Sequence, residues 1–190
     1  MHINRFLDKM AVMDSKQNKD VEPNLSATEG GTFMLSVTSS TFTAGKPMPL
    51  KTSTWGDNTS PHLKWSGAPA NTKTFAIIAD DPDAPDPKAP RMVWVHWVVW
   101  NIPASVTELA EGQPKTEKLA NGAVQGKNDS KKSGYDGPTP PIGTHRYFFK
   151  VYALDCELVL KSGATKPDLL NAMKGHVLAE GQIIGLYSAR

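Results

Sequence analysis

The stretch Met92–Asn101 reads M-V-W-V-H-W-V-V-W-N. Its hydrophobicity suits a buried helix or a buried strand, and the choice between them decides the fold. β-Branched and aromatic side chains fill it, and such residues pack best on a pleated surface, so it is read as a strand. Strand periodicity then puts Met92, Trp94, His96, Val98 and Trp100 on one face, and Val93, Val95, Trp97 and Val99 on the other. A histidine on an apolar strand face is either a core residue with satisfied ring nitrogens or a functional group.

The neighbouring segments repeat the strand signal. F-A-I-I-A at Phe75–Ala79 is a short apolar run bounded by turn residues, as expected of a central strand covered on both faces. His145–Leu154 is a longer strand, with His145, Tyr147, Phe149 and Val151 on one face and Arg146, Phe148, Lys150 and Tyr152 on the other. Upstream, Phe33, Leu35 and Val37 alternate with Met34, Ser36 and Thr38 as a half-buried strand. Pro47–Leu50 reads as an extended edge or turn segment, and Leu63–Trp65 as a further apolar piece. One helix is expected, with Thr165 as N-cap and Pro167 and Asp168 in the first turn. Leu169, Leu170, Met173 and Val177 form its apolar stripe, and Gly181 is its expected C-terminal cap. A last strand is expected at Gln182–Tyr187. Many strands with one late helix make the fold mostly β, built from antiparallel sheets.

The 190 residues suit one domain. Residues 1–30 are set apart as an arm from a domain over residues 31–190. In the arm, Ile3, Phe6, Leu7, Met10 and Met13 recur at the spacing of a short amphipathic helix, followed by a polar linker. Its role is left between a terminus, a packing strut and a membrane-surface or dimer contact. The net charge of +2 is interspersed along the chain, which argues against a duplex nucleic-acid binder. The single cysteine, Cys156, excludes an internal disulfide and is read as a bystander. No apolar stretch approaches the roughly 20 residues that span a bilayer. Asn4, Arg5, Asp8 and Lys9 interrupt any secretory signal, so the cytoplasm is the expected location.

Two segments carry chemistry. In D-P-D-A-P-D-P, from Asp81, the prolines fix φ and restrict the residues before them. The segment is either a rigid turn presenting Asp81 and Asp83 at a strand end or a merely solvated acidic turn. In Gly134–Tyr147, G-Y-D-G-P-T-P-P-I-G-T-H-R-Y, glycines and prolines stiffen a loop whose backbone N–H groups can face an anion. It delivers His145 at a strand start, while Arg146 points to the opposite face, where it is expected to pair with a carboxylate.

These residues match a family pattern. D-P-D-A-P at Asp81–Pro85, W-x-H-W with a following N-I-P from Trp94 to Pro103, and G-P-x-P-P-x-G-x-H-R-Y at Gly137–Tyr147 resemble the phosphatidylethanolamine-binding protein family. The nearer resemblance is to its bacterial, Raf-kinase-inhibitor-like branch. It covers residues 33–190, including S-P-H-L-K-W at Ser60–Trp65 and A-M-K-G-H-V-L-A at Ala172–Ala179. It implies a large antiparallel sheet packed on a smaller one, with a pocket at one end for phosphate-like anions or phosphorylated headgroups. The implied site is Asp81, Trp94, His96, His145 and Tyr147, rimmed by Pro140 and Pro141, with Asp83 as an acid behind it. The resemblance implies binding without catalysis, cofactor or tightly bound metal, a possible protein partner such as a kinase, and a homodimer. Thr139 and the segment N-D-S-K-K-S-G-Y (Asn128–Tyr135) depart from the family pattern and bear on headgroup preference.

Two imidazoles near one oxyanion can both donate when protonated, and a neighbouring carboxylate favours their charged form. Tighter anion binding is therefore expected below about pH 6.5. The alternative is a metal-assisted hydrolase using Asp81, Asp83, His96 and His145 as ligands. Against it, no H-E-x-x-H motif is present, and serine hydrolysis lacks a G-x-S-x-G elbow.

Overall fold

β4 (Thr74–Asp81) is buried along its whole length, because both of its faces and both of its edges are covered. The computed structural model describes residues 33–190, so the helix and linker expected in the N-terminal arm lie outside the described residues. In chain order the other elements are β1 (Phe33–Met34), β2 (Ser36–Thr38), β3 (Leu63–Ser66), β5 (Trp94–Pro103), β6 (Glu108–Leu109), β7 (Val124–Gln125), β8 (Thr144–Leu154), α1 (Lys166–Ala172) and β9 (Val177–Ser188). Six strands form the large sheet in the order β1-β9-β8-β4-β5-β7, and β2-β3-β6 form the small one. Pairing is antiparallel except where the two residues of β1 run parallel to β9. The fold is thus mostly β, with one α-helix near the C-terminus among the described residues.

The faces of the large sheet are covered differently. On one, Phe75, Ile77, Trp97, Val99, Phe149 and Val151 pack with Leu63, Trp65 and Leu109 of the small sheet. On the other, Ala76, Ile78, Val98 and Trp100 meet Leu169 and Met173 from α1 and its C-terminal end. Asp80, on this second face, is buried and bonded through both carboxylate oxygens to Lys150 Nζ, with Lys166 Nζ of α1 also reaching it. That ion triad ties the helix to the sheet.

The structure corrects several sequence expectations. Phe33–Thr38 is not one strand: it crosses from the large sheet to the small one at buried Leu35, whose N–H donates to the Glu180 carbonyl. Leu50–Thr52 is a single 3-10 turn, while Pro47 bridges Leu186 at the sheet edge, where its missing donor costs nothing. The helix ends at Ala172, well short of Gly181, because Gly175 adopts φ +79 and turns the chain into β9. Gly181 lies inside β9, where a Cβ would stand 2.1 Å from the Leu35 carbonyl oxygen.

The strict alternation expected along Met92–Asn101 also fails. Asp80 pairs with Val95 but the adjacent Ala79 pairs with Trp97, so His96 is an extra residue, a β-bulge. Beyond it the parity flips: Val98 and Trp100 pack in the helix-side cluster together with Val95. His96 therefore does not share a face with them. Instead its ring meets Tyr147 edge-on, at 5.1 Å between centroids.

Candidate functional site

Asp81 closes β4, and the proline turn that follows is stitched to β8. The Asp83 N–H donates to Asp81 Oδ1 at 2.8 Å. Asp83 in turn accepts the Arg146 backbone N–H and Nε at 2.9 Å and Nη2 at 2.7 Å. The Arg146 guanidinium holds the Asp83 carboxyl below its ordinary range, outweighing the opposing effect of burial. Farther along, the Arg91 and Met92 N–H groups both donate to the Ala84 carbonyl, closing the loop and leading the chain into Trp94.

One residue before Arg146, His145 faces inward. Its Nδ1 lies 2.7 Å from Asp81 Oδ2 and its Nε2 3.0 Å from the Ile142 carbonyl oxygen. The pair is almost sealed from solvent, at 1% and 4% side-chain exposure. Both ring nitrogens thus face acceptors inside the protein, which leaves this imidazole no spare donor. The expectation that two imidazoles donate to one oxyanion is corrected on this point.

His96 is built differently. Residues 126–142 run as an irregular strap across β5, fixed by backbone bonds from Gly126 to Val98, Asp129 to Val95 and Asp136 to His96. The Asp136 carbonyl oxygen also meets His96 Nδ1 at 2.5 Å, which assigns the hydrogen of the neutral ring to Nδ1. Nε2 has no protein partner among the described residues. Burial pushes this imidazole below its ordinary pKa, with Asp136 and the Asp81 charge opposing only in part. Tyr147 lies between the two histidines, its phenol pushed up by burial and then by the Asp81 charge.

Together these groups line a cavity of about 400 Å³. Asp81, Trp94, His96, Pro140, Pro141, His145 and Tyr147, all expected from the sequence, line it. Asp83 does not, because Arg146 holds it behind the wall. Thr139 and Ser130, the latter within the segment expected to bear on headgroup preference, also line the cavity, and so does Asp136, which sequence reasoning missed. The Asp136 carboxylate accepts from Asn58 Nδ2 at 2.9 Å and Ser130 Oγ at 2.6 Å. Burial raises its pKa, but these bonds and Lys132 outweigh that and hold it below the ordinary value. The only available signal was its place two residues before Pro138 in the stiff loop. Gly137 next to it is obligatory, since a Cβ there would lie 2.0 Å from the Thr52 carbonyl oxygen.

The metal-site alternative finds no support in this geometry. Asp81 and His145 are bonded to each other, Asp83 is taken by Arg146, and His96 Nδ1 by a carbonyl. Among the described residues these four do not bring ligand atoms together.

A two-sheet β protein with a His- and Asp-lined cavity at the end of its large sheet is a small-ligand-binding architecture. The model of the phosphatidylethanolamine-binding protein family matches residues 38–188, and the chain belongs to that family. A "UPF0098 protein" of Methanothermobacter thermautotrophicus is 49% identical over 132 residues, covering 70% of this chain and 84% of that protein. One from Aquifex aeolicus is 42% identical, covering 86% and 94%. Among solved structures, a phosphatidylethanolamine-binding protein homologue from Chlamydia trachomatis superposes with a TM-score of 0.74 at 38% identity, covering 84% of this chain and 100% of that one. E. coli YbcL, described as a member of the mammalian family, gives 0.73 at 35% identity, covering 82% and 99%. No helix among the described residues is long and apolar enough to cross a membrane.

Proposed function

We propose that the cavity binds phosphate-type anions and phosphorylated headgroups of the phosphoethanolamine kind, without chemical turnover. The observation that carries this reading is His96, a cavity-lining imidazole with Nδ1 tied to a carbonyl and Nε2 without a partner among the described residues. A protonated phosphate oxygen donates to Nε2 of the neutral ring, and protonation turns Nε2 into a donor for a fully ionised one. His145 supports the site by holding Asp81 in place. Asp81 and Asp136 disfavour a bare dianion, so a ligand that brings its own proton or ammonium group fits better. Trp94, Tyr147, Pro140 and Pro141 give this polar set a stiff apolar wall. Regulation of a protein partner, such as a kinase, would follow from occupancy, and pull-downs with and without ligand test it.

The deciding experiment is a heteronuclear NMR titration of wild type and His96→Gln with inorganic phosphate and O-phosphorylethanolamine. Saturable shifts at His96, His145 and residues 137–143 are expected, with O-phosphorylethanolamine the tighter ligand. His96→Gln should weaken both by about tenfold, the value of one charge-assisted hydrogen bond. A wild type that shows no shifts with either ligand at roughly a thousandfold excess over a micromolar affinity would overturn the reading.

A further inference from the structure

The end of β8 remote from the cavity carries a second cluster of chemistry-bearing side chains. Asp155 and Cys156 leave β8, and His176 enters β9 beside them. One ligand atom from each of the three lies within 4.8 Å of the others. The backbones that present them are anchored. The Asp155 N–H donates to the His176 carbonyl at 3.1 Å, and the His176 N–H to Met173 at 3.0 Å. The Cys156 carbonyl accepts the Thr74 hydroxyl at 2.6 Å. Asp155 and His176 are exposed, and their contact is a 2.8 Å Oδ1–Nδ1 hydrogen bond that small rotations can open. Cys156 is half-buried against the helix-side cluster, which holds one of the three ligands in place beside the two exposed ones.

We propose that Asp155, Cys156 and His176 form a binding site for a divalent cation of the zinc class. A thiolate, an imidazole and a carboxylate make a mixed soft and borderline set, which favours zinc over calcium or magnesium, since those take all-oxygen shells. Three protein ligands leave a fourth tetrahedral position for water. Bonds of about 2.0–2.3 Å need the three atoms to draw closer, which the two exposed side chains permit. On binding, the thiol proton leaves to solvent, the neutral His176 ring keeps its one proton on the nitrogen that does not ligate, and three metal–ligand bonds replace the S–H bond and the Asp155–His176 hydrogen bond. The ion bridges the exit of β8 to the entrance of β9 across the segment that contains α1. It thus acts as a clamp on the helix-bearing end of the sheet.

The test uses the full chain and cobalt as a spectroscopic stand-in for zinc. Cys156 is the sole cysteine, so a thiolate-to-cobalt charge-transfer band reports this site alone. The wild type should develop that band with tetrahedral visible absorption, and zinc should abolish both by displacement. Cys156→Ser should lack the band, and His176→Ala should need at least about tenfold more cobalt to show it. Zinc should raise the Tm of the wild type by about 5 °C or more at a hundredfold excess over Kd, raise that of His176→Ala by clearly less, and leave Cys156→Ser unmoved. Near-ultraviolet circular dichroism confirms that each variant is folded. No band in the wild type, or an equal zinc-induced Tm rise in wild type and variants, overturns the proposal.

Discussion

Each end of the hairpin formed by β8 and β9 carries a histidine–aspartate pair of nearly equal length. His145 and Asp81 meet at 2.7 Å with 1% and 4% side-chain exposure, whereas His176 and Asp155 meet at 2.8 Å with 45% and 40%. Geometry does not tell them apart. Environment does: water screens the exposed pair and can replace either partner, so its worth is small. The sealed pair has no such substitute, and losing one member strands a charge in a poorly solvated place. The contrast separates a permanent brace from an open set of ligands.

The largest effect expected from breaking this contrast is at the sealed end. His145→Ala should lower unfolding free energy by about 3–5 kcal/mol, read by urea denaturation, because Asp81 is left buried without its partner. The double variant with Asp81→Ala should recover part of that loss, since the stranded charge is removed. A smaller loss, about 1–3 kcal/mol, is expected for Gly137→Ala, whose new methyl must push the strap off the Thr52 carbonyl. The same shift should draw the Asp136 carbonyl away from His96 and weaken phosphate binding.

His96 sharpens the comparison through pH. Burial lowers its folded-state pKa, so on acidification the unfolded chain takes up a proton first. Its contribution to stability is full above about pH 6.5 and declines as pH falls below that value. Denaturation midpoints from pH 7.5 to 5 should show this decline, and His96→Gln should flatten it. Phosphate should bind more tightly over the same descent, and an affinity that is the same at pH 5.5 and 7.5 would remove His96 from the account. The smallest effect belongs to the open end. Asp155→Asn, without added metal, should change stability by no more than about 0.5 kcal/mol.

How far the sequence reaches follows from the kind of interaction involved. The long strands were legible because their side-chain alternation is local, and the proline turns because proline restricts its own and the preceding residue. Asp81, His96 and His145 stood out on those elements as titratable groups, whereas Trp94, Tyr147, Pro140 and Pro141 came from the family resemblance. The bulge at His96 was not legible: it is defined by a mismatch between β4 and β5, and neither strand alone contains it. Asp136 and Ser130 belong to a strap without periodicity, and only its tertiary path brings them to the wall. The over-long helix reflects a local ambiguity, since Met173 and Val177 fit a helical stripe as well as they fit a turn leading into a strand. There Gly175 decided the outcome.

The bulge has a consequence for how this site can be altered by insertion or deletion. Removing the single residue His96 would let Val95 and Trp97 follow β4 without a skipped partner, giving a more regular ladder. The deletion would also take away the carbonyl that anchors the Asp136 N–H, and the cavity would lose the His96 imidazole entirely. Read as a matter of counting, one residue near the start of β5 marks the difference between a regularly paired strand and one that turns an imidazole to the cavity.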